Sequence, residues 1–148
     1  MKALLGMLLL LAPSVGIRAE EPANARAPIE EIMSKGLLSV NGKSPVFPAF
    51  KFFDGGKLVG FLSGAPTPRN PLQTAVNTVP AGLETETLKG ELATIHLAGP
   101  IGGKTLLVYR MNQRFCPPCD DIIAKVKGQM TEVGWANAKM LTVDVTSP

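Results

Sequence analysis

A nearly continuous apolar run, Thr105–Met111, leads into the only two cysteines of the chain, in Phe115-Cys116-Pro117-Pro118-Cys119. A run of this kind predicts a central strand that is covered on both faces. The two prolines suit the first turn of a helix, whose N–H groups have no intrahelical partners. Thiols three residues apart share one face of that turn, and a helix N-terminus favours a thiolate over a thiol. The sequence therefore predicts a strand–CxxC–helix unit with reactive chemistry at its junction.

Three roles are open for Cys116 and Cys119: a redox-active pair, two ligands of a zinc site, or a structural disulfide. The redox role fits the local order of apolar strand, aromatic residue, CxxC and helix, which is typical of a thioredoxin-like active site. The length of the chain argues against that role, because a thioredoxin fold places most of its sheet after the CxxC helix, including the strand behind a cis-proline loop. Only 29 residues follow Cys119, which is enough for one helix and one strand.

The amino end has the pattern of a signal peptide that is cleaved after Ala19. Lys2 provides the positive start, and residues 3–12 form an apolar run that is too short to span a bilayer as a helix. We therefore expect a secreted or periplasmic protein with no transmembrane span after removal of residues 1–19. That removal also takes away Lys2 and Arg18 and no acidic residue, which lowers the formal net charge from +3 to +1. The net charge thus gives no argument for nucleic-acid binding.

Turn residues and apolar periodicity divide the remaining chain into a series of elements. Residues 20–44 are predicted to form a linker, mobile over 20–28, followed by a short helix, and residues 45–148 are predicted to form one domain. Within that domain the pattern predicts a hairpin turning at residues 54–56, a helix over 84–97, the strand over 105–111, a helix over 120–133 and a strand over 139–145. This order indicates an α/β fold whose mixed sheet has an N-terminal hairpin and parallel neighbours at its carboxyl end.

Four segments of the sequence resemble the bacterial double-stranded-DNA cytosine deaminase toxins (the DddA-like family). They are Val46-Phe-Pro-Ala-Phe50, Ser63-Gly-Ala-Pro-Thr-Pro68, Cys116-Pro-Pro-Cys119 and Ala136-Asn-Ala-Lys-Met140. They are similar, in the same order, to the family's entry segment, its proline-rich loop, its zinc-binding Cys-x-x-Cys and the segment before its late strand. The resemblance covers most of the chain after the leader, and it implies a cytidine-deaminase-like α/β/α sandwich.

The same resemblance implies a zinc-dependent hydrolase that acts on cytosine. Cys116 and Cys119 would be metal ligands, Glu91 would be the catalytic proton shuttle, and metal-bound hydroxide would attack C4 of the base. Pro117 and Pro118 would line the site. Zinc is the implied cofactor, DNA or another cytidine-containing molecule is the implied substrate, and an immunity protein is the implied partner of such a toxin. The residues that would bind the substrate are not assigned.

The chain departs from the family at one metal ligand, because Lys89 in Lys89-Gly90-Glu91 stands where the family has a zinc-binding histidine. An ammonium group has no lone pair for zinc, and lysine is not one of the usual zinc ligands. Lys89 would then line the site, and His96 could become a ligand only in a different helix register. We therefore expect catalysis to be impaired or absent. The alternatives are a non-catalytic deaminase-fold binding protein with a Cys116–Cys119 disulfide and a thioredoxin-like thiol–disulfide oxidoreductase.

Overall fold

The computed structural model describes residues 23–43, 45–99 and 102–146, so the predicted signal peptide lies outside the described residues. The elements, in chain order, are β1 (Ala23–Pro28), α1 (Ile29–Ser34), β2 (Ala49–Asp54), β3 (Lys57–Ser63), α2 (Leu72–Ala75), α3 (Leu88–Thr94), β4 (Lys104–Met111), α4 (Cys119–Gln129), a 3₁₀ turn (Thr131–Val133) and β5 (Lys139–Thr146). None of these helices is long and apolar enough to cross a membrane.

The five strands form one mixed sheet in the order β1-β5-β4-β2-β3. β5 is parallel to both of its neighbours, β1 and β4, whereas β2 is antiparallel to both β3 and β4. The α/β class, the β2–β3 hairpin and the parallel pair at the carboxyl end are therefore confirmed. β4 lies in the middle of the sheet, which explains why its sequence is apolar on both faces.

The mobile linker predicted for residues 20–28 is wrong for Ala23–Pro28, which form the edge strand β1. The strand runs in parallel register with β5, from Ala23 beside Leu141 to Pro28 beside Thr146. Its composition of alanine, asparagine, arginine and proline carries no β-branched pattern, so the strand depends on backbone pairing with a distant part of the chain. Proline occupies the last position of this edge strand, where such a residue is tolerated.

The helix predicted over residues 84–97 is shorter than expected. A side-chain cap begins α3, and a residue with left-handed backbone conformation lies just past its end. The hydroxyl of Thr87 accepts a hydrogen bond from the backbone N–H of Gly90 at 3.1 Å and so begins the helix. Near its end, His96 adopts a positive φ of 56°, a conformation that the helix cannot continue through. Glu86 consequently lies in the turn before the helix.

Strand alternation creates two separate apolar layers, one on each face of the sheet. We call them the α1/α3 face and the α2/α4 face after the helices that cover them. The strand residues Ala49, Phe53, Leu107 and Tyr109 pack with Ile32, Leu88, Leu92 and Ile95 on the α1/α3 face. The strand residues Phe50, Phe52, Leu106 and Val108 pack with Leu72, Ala75, Ile123 and Val126 on the α2/α4 face. The two helices that flank β4 in sequence, α3 and α4, thus lie on opposite faces.

Gly60 allows β3 to approach the backbone at the end of α2. A Cβ at this position would meet the carbonyl oxygen of Ala75 and would lie 2.6 Å from the Cα of Val76. We expect Gly60→Ala to lower the free energy of unfolding by about 1 to 3 kcal/mol, because backbone must move to make room. Gly128 in α4 is the control: an added Cβ meets nothing within 4 Å, so Gly128→Ala should raise that free energy by about 0.5 to 1 kcal/mol. Urea unfolding measures both, and unchanged stability of the Gly60 variant would contradict this packing.

Candidate functional site

The two cysteines are joined by a disulfide at the start of α4. Asn112 builds the turn that leads from β4 to this motif. Its backbone carbonyl accepts a hydrogen bond from the N–H of Cys116 at 2.9 Å, and its side-chain oxygen accepts one from the N–H of Arg114 at 2.9 Å. The N–H of Cys119 then donates to the carbonyl of Cys116 at 3.1 Å. The sulfur pair is therefore held at the carboxyl end of the central strand.

The two sulfurs have different surroundings. Cys116 retains 7% exposure, whereas Cys119, the first residue of α4, is fully buried. The Sγ of Cys116 lies 3.6 Å from the carbonyl oxygen of Phe47, which precedes β2 and is joined to Pro48 by a cis peptide bond. Cys116 is consequently the more exposed of the two cysteines, and it lies where the end of β4 meets the start of β2.

Glu91 belongs to a different constellation, a buried polar cluster on the α1/α3 face. Its carboxylate accepts hydrogen bonds from the Nζ of Lys51 at 2.8 Å and from the hydroxyl of Tyr109. The same Nζ donates to Glu86 at 2.8 Å. Lys51 is completely buried and Glu91 is 3% exposed, whereas the Glu86 side chain is 23% exposed. One ammonium group therefore serves two carboxylates, which is how buried charges are tolerated in a protein interior.

Burial shifts the protonation of this cluster. It raises the pKa of Glu91 from 4.5 to about 7, although the charge of Lys51 and the hydrogen bonds from Lys51 and Tyr109 act in the opposite direction. Burial, together with the nearby charge of Glu91, also raises the pKa of Tyr109 well above its ordinary value. Tyr109 therefore remains a hydrogen-bond donor. A cleft of about 300 Å³, lined in part by Glu86, Thr87 and Glu91, connects the cluster to the surface.

The structure does not bring the predicted zinc-site residues together. Glu91 contacts Lys51 and Tyr109, whereas the helix that follows the cysteines packs on the opposite face. Lys89 and His96 are exposed on α3 and just after it, and Pro117 and Pro118 are exposed beside the disulfide.

The donor set does not fit zinc in this arrangement. Sulfurs joined to each other are not thiolates, and the thiolate is the form of cysteine that binds a metal. Across the three described ranges, no group of three or more histidine, cysteine, aspartate or glutamate residues could hold a metal ion.

Sequence reasoning missed the cluster around Lys51 and the contact between Phe47 and Cys116. The lysine inside the apolar run Phe50-Lys51-Phe52-Phe53 could have indicated the cluster, because a lysine in a buried strand needs an acidic partner. The contact between Phe47 and Cys116 joins residues 69 positions apart, so no local sequence pattern predicts it.

Comparisons of the chain with protein-family models, curated proteins and solved structures find no match. The function is therefore proposed from the site alone.

Proposed function

We propose that the protein is a thiol–disulfide oxidoreductase whose reactive pair is Cys116 and Cys119. The observation that carries the proposal is the disulfide in the turn that leads from the central strand β4 into α4. Cys116 is the more exposed cysteine, beside the Phe47 carbonyl, and Cys119 is fully buried at the helix N-terminus. This asymmetry suits an exchange reaction, in which one sulfur is attacked and the other leaves.

The exchange proceeds in two balanced steps. A substrate thiolate attacks the Sγ of Cys116, the bond between the two protein sulfurs breaks, and Cys119 leaves as a thiolate. A second thiolate of the substrate then attacks the substrate sulfur of the mixed disulfide and releases Cys116, so that two electrons pass to the protein and the substrate becomes a disulfide. The N-terminus of α4 stabilises the leaving thiolate of Cys119. The reverse sequence reduces a substrate disulfide.

Sheet topology shows that the CxxC unit has a complete sheet around it without the strand arrangement of a thioredoxin fold. The remaining strands of a thioredoxin fold follow its CxxC helix. In this chain β1, β2 and β3 all precede the motif, yet β2 and β3 complete the sheet on one side of β4 and β1 completes it beyond β5. The strand–CxxC–helix–strand unit therefore has a full sheet around it despite its position near the end of the sequence.

The proposal is tested by insulin reduction with dithiothreitol as the electron source. We expect the purified protein to accelerate the reaction and Cys116→Ser to show no rate above that of dithiothreitol alone. Cys119→Ser is the matched variant: it keeps Cys116 and, once reduced and freed of dithiothreitol, should form a mixed disulfide with insulin, which mass spectrometry detects. If the rate of insulin reduction with the wild-type protein were no higher than with dithiothreitol alone, the proposal would be rejected and the pair would be a structural disulfide.

The cytosine deaminase function and the deaminase-like sandwich remain predictions supported by the four sequence resemblances. No contact among the described residues favours them, because Glu91 and the CxxC helix occupy opposite faces of the sheet. Metal analysis of the reduced protein tests this hypothesis. A zinc content near one ion per chain would support it. In that case Lys89→His should raise both the zinc content and any formation of uracil from cytosine.

A further inference from the structure

We infer that an apolar groove beside the disulfide binds the substrate of the exchange reaction, and that this substrate is an apolar segment of a polypeptide. The groove has a volume of about 590 Å³ and lies between α1 and the segment before β2. Its lining residues are Ile29, Glu30, Met33, Ser34, Pro45 and Phe47. The inference rests on the proposed function and adds the substrate class to it.

Phe47 connects the groove to the reactive sulfur. It lines the groove, and its carbonyl oxygen lies 3.6 Å from the Sγ of Cys116. A polypeptide joined to Cys116 as a mixed disulfide must leave the sulfur along the adjacent surface. Because an extended chain advances about 3.3 Å per residue, side chains only a few residues from its cysteine reach the groove.

Exposed hydrophobic side chains occur in the groove, in the segment before β2 and beside Cys116 in sequence. Within the described part of the chain, the large hydrophobic side chains that remain exposed are Met33 at 46%, Val46 at 57% and Phe115 at 51%. Met33 lines the groove, Val46 lies between two groove residues, and Phe115 precedes Cys116. Exposed apolar side chains in the groove lining and next to the cysteine in sequence favour an apolar partner at this site.

One wall of the groove is fixed before any substrate arrives. The hydroxyl of Ser63 in β3 accepts a hydrogen bond from the N–H of Val46 at 3.3 Å and donates one to its carbonyl at 3.0 Å. This pair of bonds ties the segment of Val46 and Phe47 to the sheet. Because this wall is already ordered, little conformational entropy is lost when a polypeptide binds, which favours polypeptide recognition.

The charge of the groove argues against a small anionic thiol as its occupant. Glu30 is the charged residue among its lining side chains, and no lysine or arginine is among them. Glutathione carries two carboxylates and one ammonium group and is therefore a net anion, which Glu30 repels overall, and no lining side chain pairs with its carboxylates. An apolar peptide segment matches both the apolar lining and the absence of a basic partner.

Oxidation of two reduced probes by the oxidised protein separates peptide recognition from chemistry. One probe is a neutral peptide with two cysteines flanked by leucine and valine, and the other is dithiothreitol, a small neutral dithiol. Met33→Gln keeps the length and neutrality of an exposed side chain while making the groove polar. We expect this variant to oxidise the peptide about fivefold more slowly and dithiothreitol at the wild-type rate. Glu132→Gln, at an exposed position in the 3₁₀ turn and outside the lining of the groove, is the control and should keep both rates.

Two results would overturn the inference while leaving the proposed function in place. They are an unchanged rate with the peptide in Met33→Gln, and an equal loss with both probes, which would mean that the substitution disturbs the disulfide itself. A wild-type protein that oxidises neither probe would overturn the proposed function and the inference together.

Discussion

Replacing Lys51 by methionine should lower the free energy of unfolding by about 3 to 5 kcal/mol, because it removes the cation that Glu91 and Glu86 share and leaves the buried Glu91 carboxyl group without that partner. Lys51 is fully buried and its Nζ lies 2.8 Å from both Glu86 and Glu91. Methionine has a similar length, so the loss reports the missing charge and hydrogen bonds rather than a cavity. Guanidinium unfolding of the disulfide-intact protein near neutral pH measures the change.

Two further variants test the cause of this loss. Lys125→Met removes an exposed lysine of α4 and should change the free energy of unfolding by no more than about 0.5 kcal/mol. Adding Glu91→Gln to Lys51→Met removes the ionisable carboxyl group that lost its partner, and it should recover part of the lost stability. If the double variant were less stable than Lys51→Met alone, an unpaired Glu91 carboxylate could not be the source of the destabilisation.

Glu91 should make the protein less stable as the pH rises from acidic to neutral. Its pKa is about 7 in the folded protein against an ordinary value of 4.5. Between these values the folded state holds a proton that the unfolded state has released. The free energy of unfolding therefore falls with rising pH across this window, by roughly 3 kcal/mol in all. The contribution is complete below pH 4.5 and is lost above the folded-state pKa.

Unfolding at about pH 5 and about pH 8 tests this dependence. Glu91→Gln cannot titrate, yet its amide oxygen still accepts a hydrogen bond from Lys51, so the wild type should lose about 2.5 kcal/mol more than the variant between the two conditions. Glu132→Gln, at an exposed position in the 3₁₀ turn, should keep the wild-type pH dependence. Parallel pH profiles for the wild type and Glu91→Gln would show that another group is responsible.

The elements that sequence predicts well are those whose signals are local. The hairpin follows from two apolar runs around Asp54-Gly55-Gly56, and both Gly55 and Gly56 adopt the positive φ that such a turn needs. The unit from β4 through α4 to β5 follows from an apolar run, a CxxC motif and helical periodicity. Strand β1 could not be predicted in this way, because it is fixed by backbone pairing with β5 and has no local sequence pattern of its own.

The candidate site was predicted only in part, because sequence order does not encode which face of a sheet a helix covers. Glu91 and the cysteines flank β4 in sequence, which favoured a shared metal site. The connections instead carry α3 to one face and α4 to the other. The importance of the cysteine pair could be read from its spacing, whereas the partners of Glu91 depend on which way the alternating residues of β2 and β4 point.

The pairing of β1 with β5 has a consequence for the order of assembly. The hydroxyl of Thr146 donates to the carbonyl of Ala27 at 3.4 Å across 119 positions of sequence, so this part of the sheet closes a loop of nearly the whole described chain. A chain that emerges amino end first, from a ribosome or a translocation channel, presents β1 long before its partner exists. The β2–β3 hairpin and β4 can assemble during that interval, but the edge strand must wait as an unpaired segment. Completion of the sheet is thereby coupled to the arrival of the last strand.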